Sequence, residues 1–271
     1  MMSPFRLLHG TVDALRRAPG IRYIRKKRFD RRFENAKLVH LFRGIYDSFE
    51  AAAAAAPPMR PQSHNSPDGA TMYDNQMRVQ QTDYPAMFWL TRALEDSARS
   101  IFDLGGHVGI KYYAFKDCIR FPDDLRWTVC DLPMIVDRGT RLARERGAER
   151  NLSFTVRATD ADGSDVLYAS GSLQYLPFNL AELLSGLEKK PSMVVVNITP
   201  LHPNRSFFTI NAIGVAFCPY RVTSEAEFVE SMCAQGYAVR DRWKNVGKSM
   251  SLPFERGYDV EAYSGFCFTR E

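Results

Sequence analysis

The sequence predicts an α/β fold whose core is a doubly wound, mostly parallel sheet behind a helical N-terminal segment. Three observations carry this. Five short apolar segments (residues 100–102, 126–131, 152–156, 165–170 and 192–198) are too continuous to be half-exposed strands, so they read as strands buried on both faces. Segments of helical character separate them, so successive strands run the same way through crossover helices. Acids and a glycine gather where those strands end, at Asp103, Asp131, Asp160 and Gly171. That edge is where ligands bind in such sheets.

Taken in chain order, the first element is a basic lead. Residues 1–43 hold twelve Lys/Arg against three acids, a net +9 in a chain of net +5, so the rest carries −4. Phe5, Leu8, Val12 and Leu15 share one helical face, and residues 16–32 are dense in cations. A helical extension packed on the core is the plainest reading. The same charge suits peripheral contact with an anionic membrane, at about 1 kcal/mol per cation, or the steering of an acidic substrate. Nucleic acid is disfavoured, because no aromatic-basic interleaving or binding module accompanies the charge.

Residues 51–56, all alanine, extend a helix. Residues 57–69, rich in Pro, Ser, Asn and Gln, read as a mobile loop with the character of a lid. These divide the chain into a basic helical segment and loop (1–70) and the α/β domain (71–271). Residues 83–97 then form a helix that carries Met87, Phe88, Leu90 and Leu94 against the first strand, with Tyr73 and Tyr84 as candidates to face a pocket.

The first strand ends in Asp103-Leu104-Gly105-Gly106-His107-Val108-Gly109 and enters a helix over 110–119. Glycines allow close backbone approach, and a helix start offers unpaired N–H groups, so this corner suits a nucleotide. Two ligands compete. A dinucleotide fingerprint started at Gly105 fails at His107 and Ile110. An acid followed by glycines at +2, +4 and +6, the pattern of an S-adenosylmethionine site, fits with one mismatch at His107. Gly109→Val is expected to block ligand approach with little loss of fold.

The second strand ends at Asp131, 22 residues beyond Gly109, where a carboxylate can accept both ribose hydroxyls or cap the next helix. Pro133 opens that helix, which stops at Gly147. Asp160 follows the third strand, and residues 171–175 follow the fourth. A helix over 177–187 leads to the fifth strand. Ser224 with Glu227 reads as a capping box for a helix ending at Gly236, and apolar segments at 237–239 and 263–268 close the chain.

At this point DLGGHVG (103–109), CDLP (130–133), SDVLYASGSLQYL (164–176) and VVVNITP (194–200) resemble the ligand-binding motifs of class I S-adenosylmethionine-dependent methyltransferases. FRGIYDSFEAA (42–52), DYPAMFWL (83–90) and CPYRV (218–222) are similar to a bacterial family of methyltransferase-like proteins met among genes for surface polysaccharides or secondary metabolites. The likeness covers residues 40–271. It implies a Rossmann-like sheet whose last strand is antiparallel, and S-adenosylmethionine as cofactor. By the resemblance, Gly105, Gly106, His107 and Gly109 cradle the methionine part, while Asp103 orients the turn or the amino group. Asp131 and Leu132 hold the ribose, Asp160 and Ala161 address the adenine, and Ser170 completes the cofactor set. His107 departs from the pattern, which has glycine there.

The implied chemistry is in-line methyl transfer to a small-molecule or glycan acceptor through an oxygen nucleophile. Gln174, Tyr175 and His202 are the catalytic candidates at the strand ends, with His202 the imidazole suited to a general base. Tyr84, Asn197 and Arg205 are the substrate-binding candidates. The alternative is a protein that keeps the fold without methyl transfer, as a cofactor-binding partner subunit or through another use of the sulfonium. Five cysteines without a CxxC pair argue against zinc and for a reducing compartment. No apolar run reaches the ~18–20 residues needed to span a bilayer, and no signal-peptide core follows Met1, so a cytoplasmic protein is expected.

Overall fold

The computed structural model describes residues 19–37, 40–74 and 76–270. The apolar face of Phe5, Leu8, Val12 and Leu15 lies outside them. Helix α1 (Pro19–Glu34) exposes Ile21, Tyr23 and Ile24 and buries Phe33. Strand β1 (Leu41–Tyr46) follows, then α2 (Phe49–Ala54), whose start is fixed by Ser48 Oγ accepting from the Ala51 N–H at 3.0 Å. Ser66 caps α3 (Pro67–Thr71) in the same way. Helix α4 (Tyr84–Glu95) buries Ala86, Met87, Leu90, Ala93 and Leu94, the three-and-four spacing of one face.

The alternation read from the sequence then appears as β2 (Ser100–Leu104), α5 (Ile110–Phe115), β3 (Arg126–Cys130), α6 (Pro133–Glu145), β4 (Leu152–Thr155), β5 (Val166–Ser170), α7 (Leu180–Ser185) and β6 (Met193–Thr199). Three strands follow: β7 (Leu201–His202), β8 (Phe207–Ala212) and β9 (Phe217–Ser224). The chain closes with α8 (Glu225–Cys233), β10 (Tyr237–Asn245) and β11 (Tyr263–Arg270). Ser224 Oγ accepts from the Glu227 N–H at 3.2 Å, so the helix start expected there is present.

The main sheet has the order β10-β11-β6-β5-β2-β3-β4. Strands β4, β3, β2, β5 and β6 are parallel, and β11 runs antiparallel to both β6 and β10. The doubly wound sheet with an antiparallel last strand is therefore present as expected. Asp165 pins the register at the start of β2 and β5. Its Oδ2 accepts from Arg99 N, Ser100 N and Ser100 Oγ at 2.8, 2.9 and 2.8 Å. Burial pushes this carboxyl up, but those bonds outweigh it and hold it below the ordinary carboxylate range. Each sheet face carries its own core, one centred on Leu90, Trp127 and Tyr168, the other on Leu184, Val196, Phe266 and Phe268.

A second sheet, of order β1-β8-β9-β7, differs from the sequence reading, which has no strands in these segments. It joins the lead (β1) to an insertion between β6 and α8, so residues 41–46 are strand and not part of a helical lead. The physical reason is that β8 and β9 carry Thr209, Asn211 and Pro219 among their apolar residues and so lack a strand's continuous apolar signal. The polar groups are satisfied across the pairing. Thr209 Oγ1 donates to Arg43 O at 3.2 Å and Asn211 Nδ2 to Leu41 O at 3.2 Å. The loop at 57–69 is bonded to three elements: Pro61 O accepts from Phe217 N (2.9 Å), Asn65 Oδ1 from Met134 N (3.0 Å), and Gly69 O from His107 Nε2 (2.9 Å).

Candidate functional site

Strands β2, β3 and β5 end beside a cavity of about 530 Å³ roofed by the 57–74 segment and the second sheet. The turn after β2 forms its floor. Gly105, His107 and Gly109 all take left-handed backbone, at φ +77°, +56° and +86°. His107 thus occupies a conformation that favours glycine, the residue that the sequence pattern has at this position. Two of the glycines answer to the protein rather than to a ligand. A Cβ on Gly105 would collide with Ser172, and one on Gly106 with the Asp103 carboxylate. Ser172 Oγ in turn donates to Leu104 O, locking the turn after β5 against the turn after β2.

Asp131 organises this floor. Its Oδ2 accepts from His107 N and its Oδ1 from Leu132 N, each at 2.8 Å, which leaves further lone pairs on both oxygens. Burial raises its carboxyl, with those bonds and His107 opposing. Asp103 lies deeper, and burial pushes it up to about 7. The Trp127 indole N–H, 3.1 Å away, works against that rise, the Asp131 charge adds to it, and Lys111 opposes it. Lys111 itself donates to both oxygens of the fully buried Asp83, at 2.7 and 2.8 Å. This half of the cavity therefore carries two carboxylates, and its one lysine is already paired.

His107 is buried, its ring edge-on to Tyr73 at 5.1 Å. Nε2 donates to Gly69 O, so Nδ1 is an acceptor, buried and without a partner among the described residues. Burial, the largest influence, lowers its basicity. His64, across the cavity, is pushed down to about 4 by burial and by the neighbouring His107 and His40, so it is neutral at physiological pH.

The wall beyond is aromatic. Tyr175 stands edge-on between His64 (5.1 Å) and Tyr220 (5.0 Å). Its hydroxyl donates to Asn211 Oδ1 at 2.9 Å, and the Tyr220 and Tyr263 hydroxyls pair at 2.8 Å. Burial drives Tyr175 well above the usual phenol range, so it stays protonated. Ile198, at φ +53° in β6, is a β-branched residue in a strained conformation, and its side chain joins this wall.

The structure brings Asp103, Gly105, Gly106, His107, Asp131, Leu132, Ser170, Gln174 and Tyr175 to the cavity. It places the remaining candidates elsewhere. Gly109 faces the core, with Leu152 Cδ2 3.0 Å from where a Cβ would stand. Asp160 accepts from Thr155 Oγ1 (2.6 Å) and pairs with Arg157 (2.8 Å), and Ala161 is fully buried in the core; neither is in the lining. Both nitrogens of His202 are engaged: Nε2 donates to Gly257 O at 3.1 Å and Nδ1 accepts from Asn204 N at 3.0 Å. That leaves this buried ring no free nitrogen to act as a base. Tyr84 is 63% exposed on α4, and Arg205 stacks on Tyr258 at 4.6 Å.

Asn197 is a structural hub. Its Oδ1 accepts from Trp243 Nε1 and Asn245 Nδ2 and its Nδ2 donates to Thr82 O, all at 3.0 Å. Among the residues that sequence reasoning missed are His40, His64, Ile198, Tyr220 and Tyr263. They come from five separate segments, and no local spacing links them.

No protein-family model matches this chain, and no curated protein does. Among solved structures it is similar to an O-methyltransferase from neocarzinostatin biosynthesis, crystallised with S-adenosylhomocysteine and 1,4-dihydroxy-2-naphthoic acid. The identity is 16% and the TM-score 0.48, over 74% of this chain and 57% of that one. It is also similar to the 1,6-didemethyltoxoflavin-N1-methyltransferase of Burkholderia thailandensis, with 17% identity and a TM-score of 0.47, over 75% and 85% of the two chains. A third is a [4+2]-cyclase, with 16% identity and a TM-score of 0.46, over 71% and 83%. The fold assignment rests on the strand order itself, five parallel strands closed by the antiparallel β11.

Proposed function

We propose that the protein binds S-adenosylmethionine and transfers its methyl group to a small-molecule acceptor by in-line displacement. The observation that carries this is the pair of carboxylates, Asp103 and Asp131, flanking the glycine turn with no unpaired lysine in that half of the lining. Such a floor attracts an ammonium and a sulfonium and repels the pyrophosphate of a dinucleotide. The residues also fit the donor's shape. Asp131 keeps lone pairs for two ribose hydroxyls, Asp103 suits the ammonium, and His107 Nδ1 and Ser170 Oγ are buried acceptors without partners among the described residues.

The donor supplies an already activated methyl group, so the protein's main task is alignment, which can lower a barrier by roughly 7–11 kcal/mol. The 57–74 segment, tied down through Gly69 and Asn65, keeps water from the floor. Tyr175, protonated and bonded to Asn211, serves as wall rather than base. His64 is a neutral imidazole in the lining, and no hydrogen bond engages its ring among the described residues. The basic α1, with Ile21, Tyr23 and Ile24 exposed, supports peripheral contact with an anionic surface as a further property. No helix among the described residues is long and apolar enough to cross a membrane.

The test is calorimetric titration with S-adenosylhomocysteine, with NADH as control. Micromolar binding that Asp131→Ala weakens at least tenfold supports the reading. Binding of NADH alone, or of neither compound, overturns it.

A further inference from the structure

The acceptor half of the cavity has a composition of its own. Its walls are His64, Tyr73, Tyr175, Ile198, Tyr220 and Tyr263, and no acid belongs to it. His64 is neutral, and His40, Lys248 and Ser249 of the lining are exposed, so no buried group of this half carries a charge. Three of its four tyrosine hydroxyls are engaged within the protein, by Asn211 and by one another. One polar atom stands out. Gln174 is 4% exposed, and its Oε1 is buried in the lining without a partner among the described residues.

We infer that this half takes an uncharged, planar hydroxyaromatic compound, stacked among the tyrosines and oriented by its hydroxyl donating to Gln174 Oε1. The inference rests on the methyl-transfer reading, because it fixes which half is left for the acceptor. The ring walls suit a flat π-face, through offset or edge-on packing. A lone carbonyl acceptor suits one hydroxyl. A sugar fits worse, because each buried hydroxyl left without a partner costs about 1–3 kcal/mol and this wall's own groups are mostly engaged. Gln174 is thus a positioning residue that sets which atom faces the donor. The bond that forms is from the acceptor oxygen to the methyl carbon, the bond that breaks is from that carbon to sulfur, and the hydroxyl proton leaves to solvent.

The experiment uses the full chain saturated with S-adenosylhomocysteine and titrated with 2-naphthol, naphthalene and methyl α-glucoside. Binding of 2-naphthol about fivefold tighter than naphthalene, the worth of one neutral hydrogen bond, is expected, with no binding of the glucoside. Gln174→Met, similar in volume, is expected to bring 2-naphthol down to the affinity of naphthalene while leaving naphthalene unchanged. A purely structural loss would weaken both alike and would overturn the assignment. So would glucoside binding at least as tight as that of 2-naphthol, or equal affinities for the two aromatics on the unmodified protein, which needs no variant. Failure of 2-naphthol to bind a protein that holds S-adenosylhomocysteine sinks this inference alone. Failure to hold S-adenosylhomocysteine removes the reading beneath it.

Discussion

Gly109→Val separates what the sequence suggests from what the fold dictates. Gly109 sits at φ +86° at the start of α5, and a Cβ there stands 3.0 Å from Leu152 Cδ2 and 3.5 Å from Tyr113 Cε2. The left-handed backbone costs an L-residue roughly 1–2 kcal/mol, and more for a β-branched one. Valine's methyls then press into a packed core, at about 1–3 kcal/mol. The total is roughly 2–5 kcal/mol, and at ~2–4 °C per kcal/mol for a chain of this size the melting point falls by about 5–15 °C. Gly147→Ala is the internal control: φ is +61° with nothing within 4 Å, so backbone strain acts alone and the loss is about 1 kcal/mol. Thermal melts of both variants, with urea titrations for the free energies, provide the measurement. S-adenosylhomocysteine affinity of the folded fraction is expected to survive, because Gly109 is not in the cavity lining. The reasoning fails if Gly109→Val melts within about 2 °C of the parent or no lower than Gly147→Ala.

Three further outcomes are expected. Asp103 has a folded pKa of about 7 against an ordinary value of 3.8, so its contribution to stability is full below about pH 4 and is lost as pH rises to 7. Melts of the unliganded protein at pH 5 and pH 8 should show that fall, and Asp103→Asn should shrink it by at most about 3 kcal/mol. Binding of the ammonium-bearing S-adenosylhomocysteine runs the other way, tightening from pH 6 to 8. A pH-independent affinity in the parent would remove Asp103 from that role. Asn197→Leu strips partners from Trp243, Asn245 and Thr82, and should cost about 3 kcal/mol or more by urea unfolding. His107→Ala removes the bond to Gly69, so amide exchange over residues 66–72 should quicken several-fold, corresponding to about 1 kcal/mol. Unchanged exchange there would mean that the loop is held by other contacts.

The main sheet was legible because each of its parallel strands is a local apolar run between helices, and burial on both faces writes that signal into consecutive residues. The cavity floor was legible for a similar reason. Asp103, Gly105, Gly106, His107 and Asp131 lie at or just past strand ends, and a strand's end can be located in one dimension. Gly109 marks the limit of such reading. Its glycine answers to its own left-handed backbone and to Leu152, a neighbour 43 positions away, and not to the cavity.

The aromatic wall could not be read in the same way. His64 stands in a loop rich in Pro and Ser, Tyr220 in β9 of the second sheet beside Pro219, and Tyr263 in β11 of the main sheet, and only the tertiary fold gathers them around Tyr175. Strand β8 of the second sheet brings Asn211 to Tyr175, while the Gly257 carbonyl and the Asn204 N–H close off His202. Sequence by itself determined the sheet and the floor of the cavity, because those depend on neighbours along the chain. Tertiary structure decided the aromatic wall and which polar atoms remain unengaged. Hydrogen-bond partners there come from segments tens to more than a hundred residues apart, and a group's availability is set by those partners and not by its own identity.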